Sequence, residues 1–238
     1  MRIAVVIPVL DEAERVSGAI ASVAPWEQSG LRAPSADPGV SSGPEILVVD
    51  GGSRDSSAAY ARRAGARVVE ADRGRARQLE AGWRASVGEV IVFLHADTRL
   101  ERGWQVAVSE AMADPRVVGG AFRLRFDAPG LAFRLVEFIV RLRVRFFALP
   151  YGDQAIFVRR SVLETAGGIP MAEVMEDLDL VRAMKRHGRV AALESRATTS
   201  ARRYQERGLW GTVFRNAVAL AAWQLGADRA WIARWVGR

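Results

Sequence analysis

The sequence of 238 residues contains no cysteine, which excludes a disulfide framework, a thiolate metal site and a cysteine nucleophile. It has two histidines, His95 and His187, too few for a His-rich zinc centre. Nowhere do about eighteen apolar residues follow one another uninterrupted, so no membrane-spanning helix is expected. The apolar run in MRIAVVIPVLDE is too short for a signal peptide and meets Pro8, Asp11 and Glu12 at once. The expectation is therefore a cytoplasmic protein, free or held at the inner face of the cell membrane. No internal repeat is visible. No RRM, helix-turn-helix or finger pattern accompanies the formal charge of +7, so nucleic acid is not an expected partner. The positive balance, mostly arginine, points instead to nucleotide phosphates or an anionic lipid surface.

What is present suits one α/β domain with a full core: half the residues are hydrophobic. The central stretch is EVIVFLHADTRL, residues 89–100. Val90 to Leu94 form a β-branched and aromatic run of the kind buried on both faces of a sheet. It breaks into His95, Ala96, Asp97 and Thr98. In open α/β sheets the ligand crevice lies beyond the carboxyl ends of the strands, and a carboxylate there can hold a cation against an anionic substrate. The competing reading makes Asp97 the N-cap of a following helix.

Other segments repeat the arrangement. Arg2 to Pro8 reads as a first strand that Pro8 ends. Asp11 and Glu12 follow, and acids in a helix's first turn are sufficient reason for both. The stretch from Trp26 to Pro44 is rich in Pro, Gly and Ser and reads as a surface loop inserted into the domain. Glu45 to Val49 is a second strand, ending in Asp50, Gly51, Gly52, Ser53, Arg54 and Asp55. The glycines allow a tight turn, and Ser53 or Asp55 can cap the next helix. After a brief strand over Arg67 to Glu70, Gly74 and Arg75 open a helix, a plausible anion site. Further on, Glu176, Asp177 and Asp179 place three acids at one helix start, more than the helix dipole needs.

Two stretches are amphipathic without being long enough to span a bilayer. From Leu131 to Leu149 the charged residues Arg134, Glu137, Arg141 and Arg145 form one narrow stripe on an otherwise large and apolar helix. Such a helix suits a core or dimer contact, or a membrane interface. From Gly208 onward the chain is helical and Trp-rich, with Arg215, Asn216 and Gln224 interrupting its apolar surface.

The pieces VVIPVLDE, ILVVDGGSRDSS, GRARQLEAG, VIVFLHADTRL, YGDQAIFVRR, MEDLDLVRAMKRHG and SARRY, in this order, resemble the family 2 glycosyltransferases of the GT-A fold. The HAD, GDQAIF and SARRY wording is similar to a bacterial subgroup often found beside radical-SAM genes, some of whose members carry carotenoid glycosyltransferase names. The resemblance implies a mainly parallel Rossmann-like sheet flanked by helices over residues 1–205, with an amphipathic helical extension over 206–238. It implies an inverting transfer of a sugar from a nucleotide-sugar donor, UDP-linked, to an acceptor hydroxyl. The two amphipathic stretches add the expectation of a lipid-like acceptor or a membrane-surface location.

The resemblance also implies roles for individual residues. Pro8, Glu12 and Asp50 surround the base and ribose, and Ser53 and Asp55 complete that turn. Asp11 stands where the family usually has Asn. Gly74 and Arg75 match a Gly-Lys pair that faces the nucleotide. His95, Ala96 and Asp97 match the Asp-x-Asp motif that holds Mg²⁺ or Mn²⁺ on the diphosphate; with His95 in the first position, binding would lean on Asp97. Glu176 and Asp177 match the Glu-Asp pair whose Asp is the catalytic base, the neighbouring acid raising its basicity by like-charge repulsion. Gly152, Asp153 and Gln154 match the acceptor-side loop, and Arg202 and Arg203 match basic residues that clamp the diphosphate. Two alternatives remain open: a nucleotidyltransferase of related architecture, and a non-catalytic module that binds nucleotide sugars or a membrane surface.

Overall fold

The structure is a computed structural model, and it describes residues 1–24 and 43–237. Apart from Gly43 and Pro44, the loop expected over 26–44 lies outside the described residues. The first half of the chain alternates strand and helix: β1 (Ile3–Val9), α1 (Ala13–Val23), β2 (Glu45–Asp50), α2 (Ser57–Arg63), β3 (Arg67–Glu70), α3 (Arg75–Ala85) and β4 (Val90–Phe93). Then come β5 (Thr98–Leu100), α4 (Trp104–Ala113), β6 (Val117–Phe126) and α5 (Leu131–Phe147). After a 3-10 turn at Gly152–Gln154 follow β7 (Ile156–Arg159), α6 (Arg160–Ala166), α7 (Glu176–His187) and β8 (Arg189–Thr199). The chain closes with α8 (Arg202–Arg207), α9 (Leu209–Gln224) and α10 (Arg229–Val236).

One eight-stranded sheet runs in the order β3-β2-β1-β4-β7-β6-β8-β5. The β3-β2-β1-β4 side is parallel, whereas β7 pairs antiparallel with both β4 and β6, and β5 antiparallel with β8. The two-residue period of β4 explains why its sequence is apolar throughout. Val90, Val92 and Leu94 enter a core shared with Val16, Ile20, Trp104 and Val108. Ile91 and Phe93 enter the opposite core, with Leu79, Trp83, Leu163 and Val181. The central strand is thus sandwiched between α1 and α4 on one face and α3, α6 and α7 on the other.

One expectation is corrected, and two alternatives are narrowed. Pro8 lies inside β1, in register with Val49, rather than ending it. The Val6 carbonyl accepts from Leu94 on the β4 side and the Val9 carbonyl from Gly51 on the β2 side. Pro8, two residues after Val6, therefore turns its donor-less nitrogen toward β4, where pairing has already stopped at Val6 and Phe93. Asp97 caps no helix, because the next element is the short strand β5; α4 starts later, after Gly103 in a left-handed conformation.

The second alternative concerns α5, of which one side packs on the domain and the other does not. Its inner side is Val136, Val144 and the buried Glu137. Glu137 accepts from the Phe126 amide at 2.7 Å and pairs with Arg134 at 2.8 Å, so the charged stripe begins turned toward β6. Arg141 reaches Glu194 of β8 at 2.8 Å. Leu131, Leu135, Phe138, Ile139, Leu142, Phe146 and Phe147 face outward and are exposed.

The C-terminal helices pack on α7. Val174, Leu178, Ala219, Trp223, Ile232 and Ala233 form their common core, with Leu149 and Tyr151 against it. Asp179 of α7 accepts from Trp223 Nε1 at 2.9 Å and pairs with Arg229 at 2.8 Å, while Arg182 stacks over the Trp223 ring at 3.9 Å.

Candidate active site

The carboxyl ends of β1, β2 and β4 open on one side of the sheet, and the predicted residues fall into two neighbouring groups there. In the first, the loops after β1 and β2 are laced together. Asp50 Oδ1 accepts from the Ser53 amide at 3.0 Å, and Ser53 Oγ accepts from the Asp11 amide at 3.0 Å. Asp11 in turn accepts from the Arg54 amide at 2.7 Å. Asp55 does not cap α2 as its N-cap residue. It takes the Ser57 amide at 2.9 Å and, with its other oxygen, the Ala13 amide at the start of α1 at 3.0 Å. These bonds, led by the Ser57 hydroxyl, hold the Asp55 carboxyl below its ordinary pKa. Glu12 pairs with Arg15 at 2.8 Å. Gln78, which the sequence did not single out, bonds the carbonyls of Val9 and Val49 and so ties the ends of β1 and β2.

The second group gathers around the N-terminus of α7. Glu176 is 1% exposed, and Asp177 follows it. Asp177 Oδ2 accepts the Gly152 amide at 2.7 Å, and Oδ1 the Leu178 amide at 2.9 Å. This links the catalytic candidate to the 152–154 turn. Gly152 sits close to both: a Cβ there would lie 3.0 Å from His95 Nε2 and 3.1 Å from Asp177 Oδ2, so that these side chains would have to give by a few tenths of an ångström. From α3, Arg75 Nε donates to Glu176 Oε1, Nη2 lies 3.7 Å from Asp177 Oδ2, and Nη1 lies 3.3 Å from His95 Nε2. The predicted like-charge partner Glu176 is thus matched by a guanidinium in this structure.

Asp153 lies within electrostatic reach of Asp177 and Asp97. Burial, reinforced by both carboxylates and opposed by Arg143 and Arg75, raises its pKa to about 6. Arg143 of α5 was not anticipated either. It stacks on the Tyr151 ring at 3.6 Å and reaches Gln154 at 3.4 Å, while Gln154 donates to the Phe122 carbonyl at 3.0 Å. Burial also raises the Tyr204 hydroxyl of α8, which feels Asp153 and Arg143. Arg202 and Arg203 are exposed, and Arg202 lies 3.9 Å from Glu206. Their segment nevertheless adjoins Asp97, whose carbonyl accepts from the Ser200 amide at 3.2 Å.

Among the described residues, the four non-glycine positions with positive φ are Asp11, Ala148, Ala155 and Met175. All border this region: one in the β1 loop, two flanking the 149–154 segment, and one immediately before Glu176. Such strain persists where surrounding structure fixes the backbone, and it clusters at functional sites.

The donor set fits a divalent cation only in part. Arg75 faces Glu176 and Asp177, while Asp153 feels Arg143, Arg75, Asp177 and Asp97. Asp153 Oδ1 and Glu176 Oε2 are buried without a hydrogen-bond partner. Among the described residues, however, no three His, Asp or Glu side chains are grouped to hold a metal by themselves. A hard cation that takes one carboxylate and completes its shell with water and phosphate fits Asp97.

Residues 4–166 match the family model described as Glycosyl transferase family 2. The chain belongs to this family. The match ends before Glu176 and Asp177. No curated protein matches the chain. Among solved structures it is similar to glucosyl-3-phosphoglycerate synthase from Mycobacterium tuberculosis, in complex with Mn²⁺, UDP and glucosyl-3-phosphoglycerate. Identity is 20%, coverage is 95% of this chain and 81% of that one, and the TM-score is 0.61. It is also similar to a mannosyltransferase from Pyrobaculum calidifontis in complex with GDP-Man and Mn²⁺, at 19% identity, 92% and 61% coverage and a TM-score of 0.63. A mycobacterial protein matches at 24% identity, 84% and 65% coverage and a TM-score of 0.53. The chain spans less than two thirds of the last two. These likenesses establish the fold, which is GT-A.

Proposed function

We propose that this family 2 chain moves a sugar from a nucleotide-sugar donor, UDP-linked, to an acceptor hydroxyl with inversion at the anomeric carbon. The observation that carries the reading is Asp177: a carboxylate fixed by two backbone amides and set beside His95 at the end of β4. In this reading the laced loops after β1 and β2, with Pro8, Glu12, Asp50, Ser53 and Asp55, receive the nucleoside. Asp177 takes the proton of the acceptor hydroxyl as it attacks the anomeric carbon from the face opposite the leaving diphosphate. Gly152, Asp153 and Gln154 border the acceptor, and Arg202 and Arg203 close on the diphosphate. Asp97 would hold Mg²⁺ or Mn²⁺, which when bound neutralises charge on the leaving group. The mycobacterial synthase and the mannosyltransferase, solved with such ions and nucleotides, support this assignment.

The test is calorimetry with UDP, GDP, CDP and dTDP sugars, with and without Mn²⁺. One nucleotide class should bind in a metal-dependent way, lost in Asp97→Ala and kept in Asp177→Asn, while Asp177→Asn abolishes transfer. Binding of none would leave a module without donor activity and overturn the proposal.

The acceptor in this reading is lipid-like, and the protein works from the inner face of the membrane. Leu131, Leu135, Phe138, Leu142 and Phe146 recur on one outward stripe of α5, Leu131 at 88% and Phe146 at 71% exposure. Trp210 and Phe214 are exposed on α9, which shares a small core with α5. Exposed Arg141, Arg145, Arg202, Arg203, Arg207 and Arg215 accompany them, the pairing of aromatic and cationic groups that suits an anionic bilayer surface. No helix among the described residues is long and apolar enough to cross a membrane. Five residues after Phe147, Gly152 donates to Asp177, so the apolar face leads into the acceptor turn. Binding to phosphatidylglycerol vesicles at low salt, lost in Phe138→Asp/Leu142→Asp, is expected. Indifference to such vesicles, with self-association in sedimentation analysis, would assign the face to a homodimer.

A further inference from the structure

Arg143 of α5 turns inward although its neighbours along the helix, Ile139, Phe146 and Phe147, are apolar and exposed. Its guanidinium lies over the Tyr151 ring at 3.6 Å, and Nη2 donates to Gln154 Oε1 at 3.4 Å. Gln154 is itself fixed: Oε1 accepts from the Tyr151 amide at 3.2 Å, and Nε2 donates to the Phe122 carbonyl at 3.0 Å. A guanidinium stacked on a ring keeps its plane, and with it the directions in which its N–H groups point. The side chain is held as a fork.

The protein does not use up that fork. Arg143 Nε is buried without a hydrogen-bond partner, and so is Asp153 Oδ1 on the adjoining turn. The two residues feel each other, yet these two atoms are not bonded. Arg75, by contrast, is engaged by both Glu176 and Asp177. A buried charged donor without an acceptor is costly, and a chain keeps one where it serves binding or catalysis.

Its position gives the chemistry of the ligand. The turn that meets Arg143 through Tyr151 and Gln154 meets Asp177 through the Gly152 amide at 2.7 Å. A molecule lying along the turn therefore has the proposed base at one end and the arginine at the other. A guanidinium of fixed plane matches the oxygens of a phosphate. A phosphate beside an exposed apolar helix face is the arrangement of a lipid headgroup.

We infer that Arg143 is the specificity residue of the acceptor site, taking a phosphate that the acceptor carries beside the hydroxyl presented to Asp177. The inference rests on the transferase reading for the word acceptor but not for the phosphate contact. A lipid headgroup and a free phosphate ester share this chemistry, and the exposed face of α5 favours the headgroup.

Calorimetry with glycerol 3-phosphate, in the presence of Mn²⁺ and UDP to fill the donor side, reads the contact directly. Its Kd should rise at least about tenfold in Arg143→Gln and stay within about twofold in Arg62→Gln, an equal loss of charge at an exposed position of α2. Affinity for Mn²⁺ and UDP should be the same in all three proteins. Phosphatidylglycerol in neutral detergent micelles is the second probe, with diacylglycerol as its phosphate-free counterpart. Phosphatidylglycerol bound alone, or more tightly than glycerol 3-phosphate, and weakened by Arg143→Gln, would assign the phosphate to a lipid headgroup. Equal affinities, equally weakened, would assign it to a free phosphate ester. Arg143→Lys keeps the charge but not the planar fork, and should weaken binding about three- to tenfold with an unchanged Tm. It carries the test should the glutamine variant not fold.

Wild-type affinity for both phosphate probes in Arg143→Gln and Arg143→Lys would overturn the inference. So would a wild type that binds neither probe, or a loss of diacylglycerol binding as large as that of phosphatidylglycerol. If phosphate bound through Arg143 but no nucleotide bound at all, the transferase reading would fall and the Arg143 site would stand. Nucleotide binding with phosphate indifferent to Arg143 would do the reverse.

Discussion

Replacing Asp153 with Asn should change the pH dependence of stability in a calculable way. The Asp153 carboxyl has an ordinary value near 3.8, raised to about 6 in the folded protein, first by burial and then by Asp177 and Asp97. Between about pH 4 and pH 6 the folded state therefore holds a proton that the unfolded chain releases, and stability falls as pH rises through this window. At about 1.36 kcal/mol per pH unit, the displacement is worth about 3 kcal/mol, fully developed above about pH 7. Asparagine has the same shape and no titration. The stability difference between Asp153→Asn and wild type should thus grow, in the variant's favour, by about 3 kcal/mol from about pH 4 to about pH 7.5. For a chain of this size that is a widening of about 6–12 °C in Tm. Paired thermal unfolding scans across that range are the assay. Parallel curves, with a constant gap at every pH, would refute the claim that a desolvated carboxyl stands beside two others.

The remaining expectations concern how the site is held. Gly152→Ala should lower turnover by about ten- to a hundredfold with little change in stability, because its Cβ would crowd His95 Nε2 and Asp177 Oδ2 at 3.0 and 3.1 Å; unchanged kinetics would contradict the geometry of the turn. Ala148→Gly should stabilise by about 1 kcal/mol, seen as a higher urea midpoint at constant slope, since Ala148 ends α5 with a φ of 46°. Asp179→Ala should cost about 2–3 kcal/mol and expose residues 209–237 to limited proteolysis, because it removes the acceptor shared by Trp223 and Arg229.

How much of this was legible in the sequence varied with the physics of each part. β4 was readable because burial on both faces makes its pattern continuous. β5 was not, because three residues carry no period; it exists through pairing with β8 and a Thr98–Thr199 hydroxyl contact of 3.0 Å across about a hundred residues of chain. The far end of β8 carries no hydrophobic period either; Arg196 to Thr199 are held by the register with β6, Arg123 to Phe126, rather than by their own hydrophobicity. For α5 the pattern showed a charged stripe and apolar surroundings but not which side faced the domain. Glu137, buried against the Phe126 amide, decided that. The acids at the carboxyl ends of the strands were visible one by one. The bond between Arg75 and Glu176 was not, since nothing in spacing joins residues about a hundred positions apart.

The nitrogen of Pro8 has a consequence for the crevice as a whole. Parallel strands close rung by rung for as long as each can supply a donor, and β1 stops supplying one toward β4 just past Val6. From there β1 keeps company only with β2, while the chain after Phe93 is released to turn away through His95 and Asp97. The mouth of the site is therefore a seam left unstitched by one missing amide hydrogen.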